Sequence, residues 1–180
     1  MKRSCQRGFT MIELIVVIVI LGVLAAVALP RFTNLQRDAR VAKLNAARGA
    51  VAAAAAMVHG SALARQGQVQ PVCPGFGTPN VAVNGNGTIC TEKGLVNVTF
   101  LYPAGSLAGV VDSAGLIQQN ATAAGLQAEG YNATVAGGVV TFQVTGGPTP
   151  ATCSFTYTPP PALGQAPVIQ PIAAANTAGC

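Results

Sequence analysis

RGFTMIELIVVIVILGVLAAVALP, residues 7–30, decides how the rest of the chain is read. From Phe9 to Leu29 the only ionisable side chain is that of Glu13. A helix of about 20 apolar residues is enough to cross a hydrocarbon core of ~30 Å, so residues 9–29 have the length of a membrane span. Lys2, Arg3 and Arg7 precede the span and keep its N-terminal end on the cytoplasmic side. A secretory signal has a shorter apolar core followed by a small-x-small cleavage site. LAAVALP, residues 24–30, imitates such a site, so a cut near Ala28 is the competing expectation.

Gly8 followed by Phe9-Thr10-Met11-Ile12-Glu13-Leu14, with a basic leader before it and a long apolar segment after it, resembles the class III signal of type IV pilins and pseudopilins. The resemblance implies that a prepilin peptidase, a membrane-embedded aspartic peptidase, cuts between Gly8 and Phe9 on the cytoplasmic side. It then methylates the new N-terminus at Phe9, and the apolar segment is retained. PRFTNLQRDAR, residues 30–40, and a small-residue stretch ending in MVHG, residues 57–60, resemble the mannose-sensitive haemagglutinin (MSHA) branch of the type IV pilins. The likeness covers residues 1–65, and the remainder only in outline.

A carboxylate inside an apolar span is costly, and intramembrane acids are functional by default. The plainer account is that Glu13 snorkels to the headgroups. The sharper one uses the amine that cleavage leaves on Phe9. In helices packed side by side and staggered, Glu13 of one copy meets the Phe9 amine of another. Partial desolvation strengthens that attraction. The pair then pins the register, as a buried polar group does in a coiled coil.

Pro30 falls inside a pattern that is otherwise helical and is expected to kink or locally open it. Beyond it, Leu35, Val41, Leu44, Val51, Ala55 and Val58 fall broadly on one stripe, with Arg37, Arg40, Lys43 and Arg48 elsewhere around the helix. AARGAVAAAAA, residues 46–56, favours helix and permits close packing. The expectation is one interrupted helix from Phe9 to about Ala64, roughly 84 Å long at 1.5 Å per residue. Residues 1–8 are the leader, 9–29 the membrane and polymerisation half, 30–65 the amphipathic half, and 66–180 a β-rich head. His59 stands alone among the ionisable residues near the helix end and reads as a surface or last-turn histidine.

Residues 66–180 are rich in proline, glycine, threonine and asparagine. Three runs alternate with period 2: Val96 to Tyr102, Val140 to Thr145, and Cys153 to Thr158. They predict an antiparallel sheet whose apolar face covers the helix. Gly146 to Pro150 suits the turn between the last two runs. Asp112 is expected to cap a short helix around residues 113–120. Residues 67–94 and 158–180 read as loops. Without Cys5, four cysteines allow three pairings. Cys73–Cys90 and Cys153–Cys180 close the short turn-rich loops and are expected in an oxidising compartment. The fold class is therefore α+β, a long kinked helix packed on a small antiparallel sheet with disulfide-tied loops.

The formal charge of +5 describes the N-terminal third, because beyond Arg65 the only charges are Glu92, Lys93, Asp112 and Glu129. A nucleic-acid footprint needs a clustered basic face with stacking platforms, and none is indicated. The acids Asp38, Glu92, Asp112 and Glu129 show no paired spacing. No nucleotide-binding, hydrolase or zinc motif occurs, and no metal or other cofactor is expected. An enzyme is not indicated. The expected function is a major pilin that polymerises with copies of itself into a helical surface filament for adhesion, biofilm formation or motility. Its other partners would be the prepilin peptidase, the pilus assembly machinery of the inner membrane and, before assembly, the lipid bilayer. The alternatives are a minor pilin, a type II secretion pseudopilin, and a membrane-anchored periplasmic binding module.

Overall fold

The computed structural model describes residues 9–117 and 122–180. Gly8 and the rest of the leader lie outside the described residues. Helix α1 runs from Met11 to Arg65 and includes Pro30. Contacts divide the chain into two compact units, with the boundary between Asp38 and Ala39.

The first unit is helical from Met11 onward. Its described side chains are exposed all round, among them Ile12, Leu14, Val19 and Leu24. The helix is long and apolar enough to cross a membrane. The pattern holds because β-branched and aliphatic residues occur at nearly every position instead of on one stripe. That is the composition of a helix surrounded by apolar neighbours on every side.

In the second unit the helix changes character. Leu44, Ala47, Val51, Ala54, Ala55, Val58 and Ala62 are buried at helical spacing. The buried stripe starts at Leu44. Leu35, expected on the same stripe, lies in the first unit and is exposed.

Two four-stranded antiparallel sheets replace the single sheet expected from the sequence. The first contains β1 (Asn80–Val81), β2 (Gly87–Thr91), β3 (Gly94–Thr99) and β4 (Tyr102–Pro103). The second contains β5 (Tyr131–Ala136), β6 (Val139–Val144), β7 (Ser154–Thr158) and β8 (Val168–Ile169). Each sheet pairs its strands in chain order. Val58 and Ala62 pack with Val81, Ile89, Val96, Val98 and Leu101 of the first sheet region. Leu44, Ala47, Val51 and Ala55 pack with Val140, Phe142, Phe155 and Tyr157 of the second. The rings of Phe142 and Phe155 stack at 5.0 Å, and the Tyr157 hydroxyl donates to the carbonyl of Pro103 at 2.7 Å, joining the two sheets.

The run from Val96 to Tyr102 is not one strand. It reverses at Phe100 and Leu101, whose φ angles are 49° and 71°. The same two-residue turn at Gly137 and Gly138, φ 58° and 77°, meets no Cβ penalty. At Phe100 and Leu101 the left-handed backbone costs on the order of 1–2 kcal/mol per residue. Surrounding bonds hold it there. Asn86 Oδ1 accepts from Phe100 N at 3.0 Å, and Gly85 O accepts from Leu101 N at 2.7 Å. His59 Nδ1 lies 3.1 Å from Leu101 O, and its ring stacks on Tyr102 at 4.0 Å. His59 is thus a half-buried clamp on this turn, not a surface histidine.

Asp112 does not start a helix. It follows a five-residue π-turn at Leu107–Val111, and part of the expected helix lies outside the described residues. The short helix α2 falls at Ala123–Ala128, where the Thr122 hydroxyl accepts from Gly125 N at 3.1 Å. Disulfides join Cys73 to Cys90 and Cys153 to Cys180.

The disulfides close loops of 17 and 27 residues. The chain-entropy account gives each about 3 kcal/mol. Reduction of the full chain in detergent micelles is expected to lower the melting temperature of the head, and an unchanged melting curve would refute that role. A second expectation concerns alkaline pH. Burial, with a smaller contribution from Tyr102, raises the pKa of Tyr157, and burial together with the charge of Glu129 raises that of Tyr131. The folded state therefore favours both neutral phenols. Their contribution is complete below the ordinary tyrosine value of about 10 and is lost as pH rises through the higher folded values. Melting temperature should fall above about pH 10, and more shallowly in Tyr157→Phe.

Candidate functional site

The start of α1 brings Glu13 beside Phe9, two of the residues singled out for processing and assembly, whereas Gly8 lies outside the described residues. Thr10 and Glu13 form a reciprocal cap of the T-x-x-E kind. Thr10 N donates to Glu13 Oε2 at 3.0 Å, and the Thr10 hydroxyl donates to the same oxygen at 2.9 Å. Glu13 N donates back to Thr10 Oγ1 at 3.2 Å. The first turn closes through Leu14 N to Thr10 O at 3.2 Å. A carboxylate also complements the positive end of the helix dipole. Glu13 is therefore held by its own helix through one oxygen, and Oε1 makes no hydrogen bond among the described residues. Phe9, 87% exposed, directly precedes this cap. Pro30 is not part of the cluster and lies further along the same helix.

Spacing alone does not reveal what the basic side chains between residues 40 and 65 do. Arg40 donates to Cys180 O at 2.7 Å, Lys43 to Glu129 O, Arg48 to Gln170 O at 2.8 Å, and Arg65 to Cys90 O at 3.3 Å. Lys43 also lies over the Tyr131 ring, 4.4 Å from its centroid. Each base ties the helix to a backbone carbonyl of the head. Their flanking of the apolar stripe was the available signal, but spacing alone does not separate such a tie from a solvated charge.

Glu92 and Asp112, which show no pairing in sequence, line one cavity of about 350 Å³ with Lys93, Thr91, Ser61 and Ser113. Its remaining wall is apolar, from Ala54, Met57, Val58 and Ile89. Among the described residues, no group of three His, Cys, Asp or Glu side chains could hold a metal ion.

The prokaryotic N-terminal methylation motif matches residues 3–29, which contain this whole site. The chain is 49% identical over 51 residues to the type IV narrow pilus major component PilA5 of Thermus thermophilus, covering 28% of this chain and 44% of that protein. It is 43% identical over 42 residues to the type IV major fimbrial protein FimA of Dichelobacter nodosus, covering 23% of this chain and 27% of that one. A match of 53% over 34 residues to the fimbrial protein EcpC of Eikenella corrodens covers 19% and 22%. The motif and these relatives support the type IV pilin family. The chain thus matches less than half the length of each of these pilins. No solved structure matches. These pilins are named as structural components, which places the support for a non-enzymatic role at the level of the family.

Thr10→Val keeps the side-chain shape and removes the hydroxyl that caps α1. Amide exchange at residues 12–14 in detergent micelles is expected to rise several-fold, with exchange in the head unchanged. Equal protection in the variant would show that the cap does not hold the first turn.

Proposed function

We propose that this chain is the major subunit of a type IV pilus. The carrying observation is a helix whose described side chains before Asp38 are all exposed and which bears one carboxylate held in a cap beside Phe9. The precursor sits in the bacterial inner membrane. The prepilin peptidase cuts after Gly8 and methylates Phe9. The assembly machinery then moves the subunit from the bilayer into a helical surface filament.

In the bilayer, lipid covers the apolar helix. In the filament, helices of other copies do so. Contacts between copies are heterologous and non-closing, so a filament grows and not a ring. Glu13 meets the Phe9 amine of a neighbouring copy and sets the stagger, and Pro30 lets the helix adjust on packing. The resulting filament serves adhesion, biofilm formation or motility. That two of the named relatives, PilA5 and FimA, are named as major pilus or fimbrial proteins favours the major subunit over a minor pilin or pseudopilin. The residues 30–40 and 57–60 support placing it in the mannose-sensitive haemagglutinin branch.

Mass spectrometry of sheared surface filaments is expected to find this chain as the dominant species, beginning at methyl-Phe9. An intact Met1 terminus, or a terminus near Ala28, would overturn the pilin reading. Gly8→Ala should leave the precursor uncut. Glu13→Ala should be cut normally yet yield few filaments, and normal filament yield would remove the register role.

A further inference from the structure

Residues 84–87 read Asn-Gly-Asn-Gly, one dipeptide twice over, where the chain turns from β1 into β2. An asparagine before glycine has a chemistry of its own. The glycine nitrogen reaches the side-chain carbonyl carbon of the asparagine because no Cβ obstructs the approach. Both groups belong to one chain, so the ring closes without an encounter between molecules. In the sequence the two dipeptides are equivalent. In the structure they are not.

Asn86-Gly87 is fixed inside the sheet. Gly87 pairs with Val81 on one side and Val98 on the other, and a Cβ there would fall 1.8 Å from Asn80 O. Asn86 O accepts from Ala82 N at 2.9 Å, and Asn86 Oδ1 accepts from Phe100 N at 3.0 Å. Ring closure would have to turn this peptide out from between two strands and break both bonds. Asn84-Gly85 lies instead at the hairpin tip. Asn84 is exposed, and Gly85, φ 78°, closes the loop of residues 83–85 in the left-handed conformation. Ring closure there gives up one turn bond, from Gly85 N to Ala82 O at 2.8 Å. Asn86 N also donates to Asn84 Oδ1 at 3.1 Å. That amide sits where negative charge develops when Asn84 Cγ is attacked, as a donor to an oxyanion does.

We propose that Asn84 is a self-modification site of the head, with water as its co-reactant. Gly85 N loses its proton to hydroxide and bonds to Asn84 Cγ. The bond from Cγ to Nδ2 breaks, and the side-chain nitrogen takes up a proton from water and leaves as ammonia. The product is a neutral cyclic imide. Water then adds to one of its two carbonyls and opens the ring. Opening at Cγ gives aspartate, and opening at the main-chain carbonyl gives isoaspartate, whose backbone is longer by one carbon. The net change is amide and water to carboxylate and ammonium, with nothing oxidised or reduced. Either product puts a negative charge among residues 66–91, which carry no charged side chain. Isoaspartate also lengthens the chain directly before Gly85, whose carbonyl accepts from Leu101 N at 2.7 Å. The left-handed turn at Phe100 and Leu101 thereby loses the fixed position of one of its supports. Chemistry at an exposed tip loosens a turn held from the core, and this holds whether or not the chain is a pilin.

The test holds the full chain in detergent micelles, in heavy-oxygen water at mildly alkaline pH. The chain is then reduced and cut with trypsin, and the peptide of residues 66–93 is sequenced by electron-transfer mass spectrometry. Labelled acid is expected at residue 84, as isoaspartate and aspartate together, and to form there at least about tenfold faster than at residue 86. The same chain reduced and unfolded in guanidinium should label both positions at similar rates. Asn84→Gln should gain no labelled acid at residue 84 over the same interval. Equal rates at the two positions in the folded chain, faster labelling at residue 86, no label at residue 84, or aspartate there without isoaspartate overturns the proposal. So does a preference for residue 84 that persists in the unfolded chain, because sequence and not fold would then set it. In amide exchange, the aged chain should exchange Phe100 and Leu101 several-fold faster than Asn84→Gln aged alike. Equal protection there overturns the coupling to the turn.

Discussion

One face of one helix carries both sheets of the head. Leu44 to Ala55 serve the core under β5–β8, and Val58 and Ala62 serve that under β1–β4. Four of these contact positions, Ala47, Ala54, Ala55 and Ala62, are alanine, which lets the sheets approach closely. Larger residues there would force both sheets outward, since a packed core does not absorb added volume without strain. The larger side chains come from the opposite side, from Phe142, Phe155 and Tyr157. The division of labour is a thin helix and a thick sheet.

The same helix explains where the charges went. Arg40, Lys43, Arg48 and Arg65 lean toward the head and end on backbone carbonyls. The outward side keeps Ala42, Ala46, Gly49, Ala52, Ala53, Ala56 and Gly60, all exposed and all small. A helix face meant for water ordinarily carries charge. A small, uncharged face is instead the kind that packs closely on other helices. Sheet-side bases and an outward face without charge are thus two results of one choice, and both agree with a subunit whose helix works inside a polymer. Glu13 follows the same logic. Its cap engages one oxygen through Thr10, so the carboxylate is oriented by its own first turn.

The long helix and both disulfides were legible because each leaves a mark in one stretch of sequence: an uninterrupted apolar run, and cysteines bounding turn-rich loops. Strands β6 and β7 were legible because VVTFQV and SFTYT alternate large apolar with polar side chains. Strands β2 and β5, GTICT and YNATVA, were not, because small and polar residues occupy the positions that periodicity would read. The start of the buried stripe was misplaced at Leu35 for a different reason. Positions 14–29 are apolar without a break and positions 30–43 mix polar with apolar residues, so composition does not mark where the helix begins to bury one face.

The turn at Phe100 and Leu101 was hidden because it breaks the rule by which turns are recognised. Gly137-Gly138 announces itself, whereas Phe-Leu reads as strand. Tertiary structure overrides local preference here: Leu101 is buried, Asn86 and Gly85 take the two turn amides, and His59 reaches across from the helix to the turn carbonyl. Asn86 and Gly85 belong to the loop between β1 and β2, which the Cys73–Cys90 bridge encloses. The bridge therefore limits the freedom of the segment that holds the turn. A strained hairpin can persist where a lone histidine, an Asn-Gly loop and a disulfide each remove one way of relaxing it.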